Sequence, residues 1–301
     1  MKLAITGGTG FVGSHLLDVA LGAGHHVAAL TRREQPARDG LEWVAGDLQD
    51  RSALERLVGG ANAIIHVAGT INARNAAGFA KGNVEGTLAM LAAATAGGVR
   101  RFVHVSSLAA REPKLSLYGA SKAKAEELVH SSGLDWAIVR PPAVYGPGDK
   151  ETLELFRMAK LGLMLMPPRG RVSVIHADDL ARLLLALAGP SVPSNILIEA
   201  DDAKPGGWTH REFARALAAA VGTRPAIVSS PGILLRLAAR ADQWWRGEKA
   251  KLTTDRAAYF SHRNWVVEPK RACPPDLWRP RIETLQGLKE TADWYRAQGW
   301  L

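Results

Sequence analysis

KLAITGGTGFVG, residues 2–13, decides the fold. KLAIT (Lys2–Thr6) is a short apolar run of strand type, and Gly7, Gly10 and Gly13 follow it at the spacing G-x-x-G-x-x-G. A strand that turns at once into a helix needs glycine where the backbone takes positive φ, and bare backbone where an anion comes close. The helix that opens after such a turn offers free N–H groups and a partial positive charge to a phosphate. The glycine spacing alone is a weak signal. Directly after a strand and at the head of a helix it predicts a pyrophosphate cradle made of Gly7, Thr9, Gly10, Phe11, Val12 and Gly13.

Outward from this stretch, Ser14–Leu21 reads as the helix. His26–Leu30, Ala61–Val67, Arg101–Ser106 and Trp136–Arg140 read as further strands, with helices through Asn83–Ala96 and Ser121–His130. Strands alternating with helices, and apolar along nearly their whole length, predict an α/β fold: a doubly wound parallel sheet of Rossmann type, buried on both faces. After Arg140 the texture changes. PPAVYGPGD (Pro141–Asp149) reads as a turn-rich junction, Thr152–Leu163 as a helix, and Val172–His176 and Asn195–Ile198 as late strands around a helix Leu180–Ala188 capped by Asp179. Beyond residue 199 the chain holds seven of its nine tryptophans and 17 basic against 11 acidic side chains, which marks a second region. The expected division is a dinucleotide-binding domain, 1–150 plus 171–198, and a smaller, mostly helical substrate-binding domain, 151–170 plus 199–301.

Composition excludes several classes. At 47% hydrophobic and 22% charged residues, 301 residues make neither a disordered chain nor a coiled coil. The single cysteine, Cys273, excludes an internal disulfide framework or a multi-cysteine metal cluster. No apolar run reaches the ~18 residues that span a bilayer, and the N-terminus turns glycine-rich too early for a signal peptide. A cytoplasmic protein is expected. The net charge of +9 suits an anionic ligand or membrane surface. It does not accompany any nucleic-acid-binding module, so no nucleic acid partner is expected. Glu127 and His130 form one Glu-x-x-His pair without a second, which reads as a surface helix, and no metal site is expected.

The second strand runs into Thr31, Arg32 and Arg33, where many dinucleotide folds place an acid on the adenosine ribose. Two guanidiniums suit a 2′-phosphate, so NADP(H) is favoured, with NAD(H) as the alternative. The strand RFVHVSS ends in Ser106 and Ser107. Tyr118 follows in YGASK, with Lys122 four residues on, and it alone of the four tyrosines has lysine at that spacing. On a helix these two side chains share a face. The ammonium is expected to lower the phenol's pKa and make it a general acid and base, while Ser107 hydrogen-bonds the reacting oxygen.

With these motifs, the chain resembles the short-chain dehydrogenase/reductase superfamily in its extended branch, the NAD-dependent epimerase/dehydratase family. The resemblance runs through TGGTGFVG, Asp47-Leu48 in AGDLQD, HVAG (His66–Gly69), NVEGT (Asn83–Thr87), HVSS, YGASK and RPPAVYGPGD. It implies that Asp47 and Leu48 lie near the adenine, that Val67, Ala68 and Gly69 line a ribose, and that Pro141 and Val144 touch the nicotinamide side. It also implies that Lys122 holds the nicotinamide ribose, that Ser107 is the catalytic serine, and that Asn83 supports the neighbouring helix. The short gap from Ser107 to Tyr118 is similar to the branch holding the accessory subunit of respiratory complex I and bacterial reductases of the ceramide reductase type. That implies an oxidoreductase acting on a ketone or alcohol of a lipid-like substrate such as a 3-oxo-sphingolipid. The rival readings are an NDP-sugar epimerase or dehydratase, and a non-catalytic cofactor-binding assembly subunit.

Pro231–Arg246, PGILLRLAARADQWWR, has helical periodicity, with Ile233, Leu234, Leu237, Ala238, Ala241, Trp244 and Trp245 on one arc and arginines opposite. Such a stripe ordinarily packs internally. The alternative is peripheral contact with an anionic membrane through 231–246, at the inner face. Oligomeric state is not legible.

Overall fold

A computed structural model describes residues 1–233, 237, 240, 242, 244, 245 and 254–301. The chain divides into two compact units. The first is built from β1 (Lys2–Thr6), α1 (Phe11–Gly22), β2 (His26–Thr31), β3 (Leu41–Ala45), α2 (Arg51–Val58), β4 (Ala63–His66), α3 (Ala76–Phe79), α4 (Gly86–Ala96), β5 (Arg101–Val105), α5 (Leu117–His130) and β6 (Asp135–Val139). The second contributes β7 (Ala143–Tyr145), α6 (Leu153–Lys160), β8 (Leu163–Met166), β9 (Arg171–Val172) and β10 (Val174–His176). The chain then returns to the first unit through α7 (Ala177–Leu187) and β11 (Ile196–Ile198), and goes back to the second for β12 (Trp208–Thr209), α8 (His210–Val221), β13 (Ala226–Ser229) and β14 (Asn264–Trp265).

The first unit is a seven-stranded, all-parallel sheet in the order β11-β6-β5-β4-β1-β2-β3, flanked by helices: a Rossmann-type α/β fold. β1, β4, β5 and β6 are buried almost throughout, which is why their sequences lack polar alternation. Strand order reverses at β1, which has β2 on one side and β4 on the other. In doubly wound sheets a ligand crevice opens outside the carboxyl ends of the strands at this reversal. The glycine loop after β1 and Val67–Gly69 after β4 both stand there.

In the second unit β7 pairs with β10, β8 with β13, and β9 lies between β12 and β14. More of its residues lie in helices than in strands. Its core gathers Tyr145, Phe156, Met164, Phe213, Leu217, Leu288 and Tyr295. α8 opens on a capping box in which Thr209 and Glu212 bond each other's backbone N–H.

The structure moves the expected boundaries. The first unit ends at Pro141 rather than 150, regains residues 178–199 rather than 171–198, and also takes Arg271–Arg279. The cause is pairing. β7 and β10 bond to each other and not to the seven-stranded sheet, whereas Glu199 N–H donates to the Arg271 carbonyl and draws that segment in. The PPAVYGPGD junction contains a strand, and the expected helix Thr152–Leu163 stops at Lys160, before β8. The helix expected to begin after Asp179 begins at Ala177. Asp179 is therefore inside its first turn, paired with Arg182. Of the stretch 231–246, residues 234–236, 238, 239, 241, 243 and 246 lie outside the described residues. Ile233, Leu237, Trp244 and Trp245, which are described, are exposed.

Candidate active site

The chain leaves β1 at Thr6 and turns at Gly7 with φ +75°. A Cβ on Gly7 would stand 2.7 Å from the Ala68 nitrogen, and one on Gly13 would stand 1.9 Å from the Gly7 carbonyl oxygen, so neither position admits a side chain. α1 starts after Gly10 with no capping side chain, which leaves its first N–H groups for an outside acceptor. Thr9 and Gly10 are exposed, and Phe11 and Val12 half-buried.

Beyond the ends of β2 and β3 lies a cleft of 580 Å³ lined by Thr31, Arg32, Arg33, Trp43, Asp47 and Asp50, among others. Thr31 Oγ1 donates to the Arg33 carbonyl at 2.6 Å and accepts from the Arg33 N–H, which fixes the turn. Arg32 and Arg33 are exposed and form no ion pair among the described residues. Asp47 accepts from the Gln49 N–H, while Leu48 packs against the sheet's core. Pro141 is buried, its carbonyl accepting from Leu108 N–H at 3.0 Å. Val144 lies in β7 of the second unit, opposite Ile175.

Ser107, Tyr118 and Lys122 come together in the first unit. Ser107 follows β5 and caps a short 3₁₀ turn, accepting from Ala109 N–H. α5 begins at Leu117, four residues before the expected start, because Ser116 caps it by accepting from Gly119 N–H at 2.9 Å. Tyr118 thus sits in the first turn and Lys122 one turn further in, 4% exposed. The Lys122 ammonium donates to the Val105 carbonyl at 2.6 Å, at the end of β5. Burial lowers its pKa to about 8, against the upward pull of Glu126. The expected depression of the phenol by Lys122 is corrected here. Burial raises the Tyr118 pKa, and a hydrogen bond with Ser107 is what opposes it. The ammonium is committed to Val105 instead.

One cluster, centred on Glu126, escapes the sequence reading, whereas Asn83 was expected to support the neighbouring helix. Glu126, 4% exposed, accepts from the Ser106 hydroxyl at 2.5 Å and takes both arms of Arg140 at 2.8 and 2.6 Å. Arg140 also reaches Glu199, as does Arg111, each at 3.5 Å. Glu126 is four residues after Lys122, and that helical spacing was its one signal. Asn83, within a π-helical turn over Ala80–Glu85, accepts from Thr70 N–H at 2.7 Å and donates to the Thr70 carbonyl and to Ser121 Oγ. It fastens the Val67–Thr70 loop to α5. His66 completes the arrangement. Thr87 donates to the Asn83 carbonyl, so it accepts from His66 Nε2–H, and His66 Nδ1 then accepts from Thr6. His104 stacks on His66 at 5.5 Å and is 1% exposed, and neither of its ring nitrogens has a hydrogen-bond partner.

These residues fit a pyridine dinucleotide. The uncapped helix start and side-chain-free turn suit a pyrophosphate, the cleft beside Arg32 and Arg33 an adenosine, and the buried ammonium a ribose hydroxyl. Gly7, Gly10, Gly13, Arg32, Arg33, Asp47 and Lys122 would hold the group.

Two outcomes follow. Glu126→Ala removes both short bonds to the Arg140 guanidinium, leaving it Glu199 alone at 3.5 Å, and lowers the unfolding free energy by about 3–5 kcal/mol in urea titrations; a loss near zero would show the pair to be solvated. The second concerns acid. Burial lowers the His66 pKa to about 3 and the His104 pKa well below 6.5. The unfolded chain therefore takes these protons first, and stability falls as pH drops below 6.5, by about 1.4 kcal/mol per pH unit for each ring. His104→Leu makes the decline shallower in thermal unfolding between pH 6.5 and 4.5. An unchanged slope would acquit this ring.

The profile of the NAD dependent epimerase/dehydratase family matches residues 3–195. A ceramide reductase of Caulobacter vibrioides (strain NA1000 / CB15N) is 40% identical, with 99% of this chain and 96% of that one aligned. A 4-hydroxy-2-methyl-3-oxo-4-farnesyl-3,4-dihydroquinoline-1-oxide ketoreductase of Stigmatella aurantiaca is 34% identical over 50% of this chain and 52% of its own. Among solved structures, gox2253 superposes with a TM-score of 0.80 at 22% identity over 100% of this chain and 99% of that one. MoeE5 in complex with UDP-glucuronic acid and NAD gives 0.73 at 22% over 99% of each. These two share the fold. The family match covers the whole glycine-loop-to-YGASK region: the chain belongs to the NAD-dependent epimerase/dehydratase family and is an NAD(P)-dependent enzyme of the short-chain dehydrogenase/reductase type.

Proposed function

We propose that the chain is an NADPH-dependent ketoreductase of a hydrophobic, lipid-like substrate, with a 3-oxo-sphingolipid or ceramide-type ketone as the first candidate. The carrying observation is that Ser107, after β5, stands beside Tyr118 in the first turn of α5, with the buried Lys122 one turn along the same helix. The full-length similarity to a ceramide reductase supports the substrate class. The unpaired guanidiniums of Arg32 and Arg33 support a 2′-phosphate, hence NADPH over NADH. On this reading the enzyme works in the cytoplasm and meets its substrate at a membrane.

When bound, the nicotinamide supplies a hydride to the ketone carbon. Tyr118 supplies the proton: its pKa is raised, so the phenol is protonated at neutral pH and donates to the oxygen as charge develops there. The Ser107 hydroxyl already accepts from Ala109 N–H, which leaves its proton to be donated to the same oxygen. Lys122, charged below about pH 8 and bonded to the Val105 carbonyl, would hold the nicotinamide ribose rather than tune the phenol.

Tyr118→Phe lowers NADPH-dependent reduction of a ceramide-type ketone by about 10²–10⁴-fold while leaving NADPH affinity within twofold of wild type, about the scatter of such a titration. Retained turnover would remove Tyr118 from this role. Cofactor selection is read separately. Arg32→Ala with Arg33→Ala raises KM for NADPH by about tenfold or more and leaves KM for NADH in place. An equal change for both cofactors would place the arginines away from the 2′ position. A protein that copurifies with NAD(H) and consumes no NADPH on any ketone would overturn the reductase reading in favour of internal cofactor recycling on a nucleotide-sugar.

A further inference from the structure

β8 is Leu-Met-Leu-Met, a strand with no polar side chain on either face. Met164 and Met166 point into the second unit's core. Leu163 and Leu165 point the other way and remain 47% and 56% exposed. β13 lies parallel beside it in the register Ala226↔Leu163 and Val228↔Leu165, so its exposed Ala226 and Val228 (48%) join the same outer face. Leu161, just before β8, is 83% exposed. A two-stranded sheet packed on one side ordinarily alternates apolar with polar residues; here the outer row is aliphatic, a feature that marks contact surfaces.

Charge decides the partner. Between Glu154 and Asp178 there is no acidic residue, only Arg157, Lys160, Arg169 and Arg171; between Glu212 and Asp242 there is again none, only Arg215, Arg224, Arg236 and Arg240. β8 lies in the first of these segments and β13 in the second. Lys160 and Arg224 are exposed and stand three residues before β8 and two residues before β13, at the same end of the sheet because Ala226 pairs with Leu163. Arg169 is exposed beyond the other end. An aliphatic face with cations at both ends and no carboxylate in either segment matches the boundary of an anionic bilayer. There the leucines enter the acyl region while the long basic side chains stay among the headgroups. A second copy of the chain fits poorly, because a two-fold contact would set the same cations against themselves. Ile233, Leu237, Trp244 and Trp245 of the same unit are exposed as well, and tryptophan favours the bilayer interface.

We propose that the outer face of the β8/β13 sheet, centred on Leu161, Leu163, Leu165 and Val228 and bordered by Lys160, Arg169 and Arg224, is a docking surface for anionic phospholipid membranes. This does not depend on the ketoreductase assignment. A membrane-docked enzyme of any substrate class would show it.

The test is vesicle co-sedimentation of the full chain. Vesicles of phosphatidylcholine with about 30% phosphatidylglycerol should retain the protein at about 0.1 M salt, pure phosphatidylcholine should not, and about 1 M salt should release it. Leu163→Ser with Leu165→Ser, both at exposed positions, weakens binding about tenfold or more. Lys160→Glu with Arg224→Glu weakens it about twenty-fold or more, at roughly fivefold per cation removed. Arg51→Glu, the same charge reversal on α2 of the first unit, changes it about twofold at most, as expected of a cation that is not part of the docking surface. Thermal unfolding of each variant checks that the fold is kept. No retention on anionic vesicles overturns the proposal. So does retention that follows charge but ignores the leucines, an equal loss with Arg51→Glu, or a dimer in light scattering that the leucine variant dissolves.

Discussion

A single buried carboxylate holds the site together. Glu126 lies in α5, and its partners lie at the ends of two neighbouring strands: Ser106 just after β5 and Arg140 just after β6. Each partner is one residue from a site position, Ser106 beside Ser107 and Arg140 beside Pro141, and Glu126 itself is one helical turn from Lys122. The contact therefore fixes, at one point, the strand that presents the serine and the helix that presents the phenol and the amine. Charges in a dry interior have no water to fall back on, so such a network tolerates little displacement of any member. Glu126 also acts by its charge. Burial alone drives the Lys122 ammonium toward neutrality, and the carboxylate on the same helix face is the influence that resists. Position and protonation of the amine thus share one cause.

A second tie reaches the site from the opposite direction. Thr6, His66, Thr87 and Asn83 form a chain of hydrogen bonds with a defined sense, each hydroxyl or ring N–H donating onward until the Asn83 carbonyl accepts. It joins the last residue of β1, immediately before the glycine turn, to the π-helical turn that aims the Asn83 side chain at Thr70 and Ser121. The sense of the chain requires His66 to be neutral with its proton on Nε2. A charged imidazole would carry a proton on Nδ1 as well and confront Thr6 with a second donor. The buried histidines therefore make the junction between cofactor turn and catalytic helix sensitive to acid, although neither ring faces the reaction.

What was legible in the sequence were local motifs whose chemistry is carried by the backbone or by one helical turn. The glycine loop could be read because Gly7 and Gly13 are demanded by close approach of main chain to main chain, and YGASK because four-residue spacing fixes a face. The Glu126 hub was hidden by a one-residue offset. Glu127, which drew attention through its spacing to His130, is exposed and paired with Lys124, while its neighbour Glu126 is buried. Nothing in composition separates two adjacent glutamates; only the helical phase set by Lys122 does. β7, β8 and β13 escaped for another reason. Short apolar runs have no period that distinguishes strand from helix, and their partners lie tens of residues away, so pairing rather than local preference decides them. The domain boundary was misplaced through the same blindness, since β7 and β10 belong with each other.

The protonation states bear on direction. On the proposed roles, reduction needs a phenol that arrives with its proton, and oxidation needs one that has lost it. Burial raises the Tyr118 pKa, which keeps the proton on at neutral pH, and Ser107 moderates this without reversing it. Lys122 does not lower that pKa, and its own is lowered to about 8, so its charge is largely gone before a phenol held above its ordinary value begins to ionise. The two shifts work in the same sense. At a pH high enough to form the phenolate the neighbouring amine is already neutral, so the oxidative direction gains little from alkali, whereas near neutrality the phenol keeps its proton and the amine its charge. The low dielectric that makes Glu126 and Arg140 hold the site together is thus also what sets it for donating a proton.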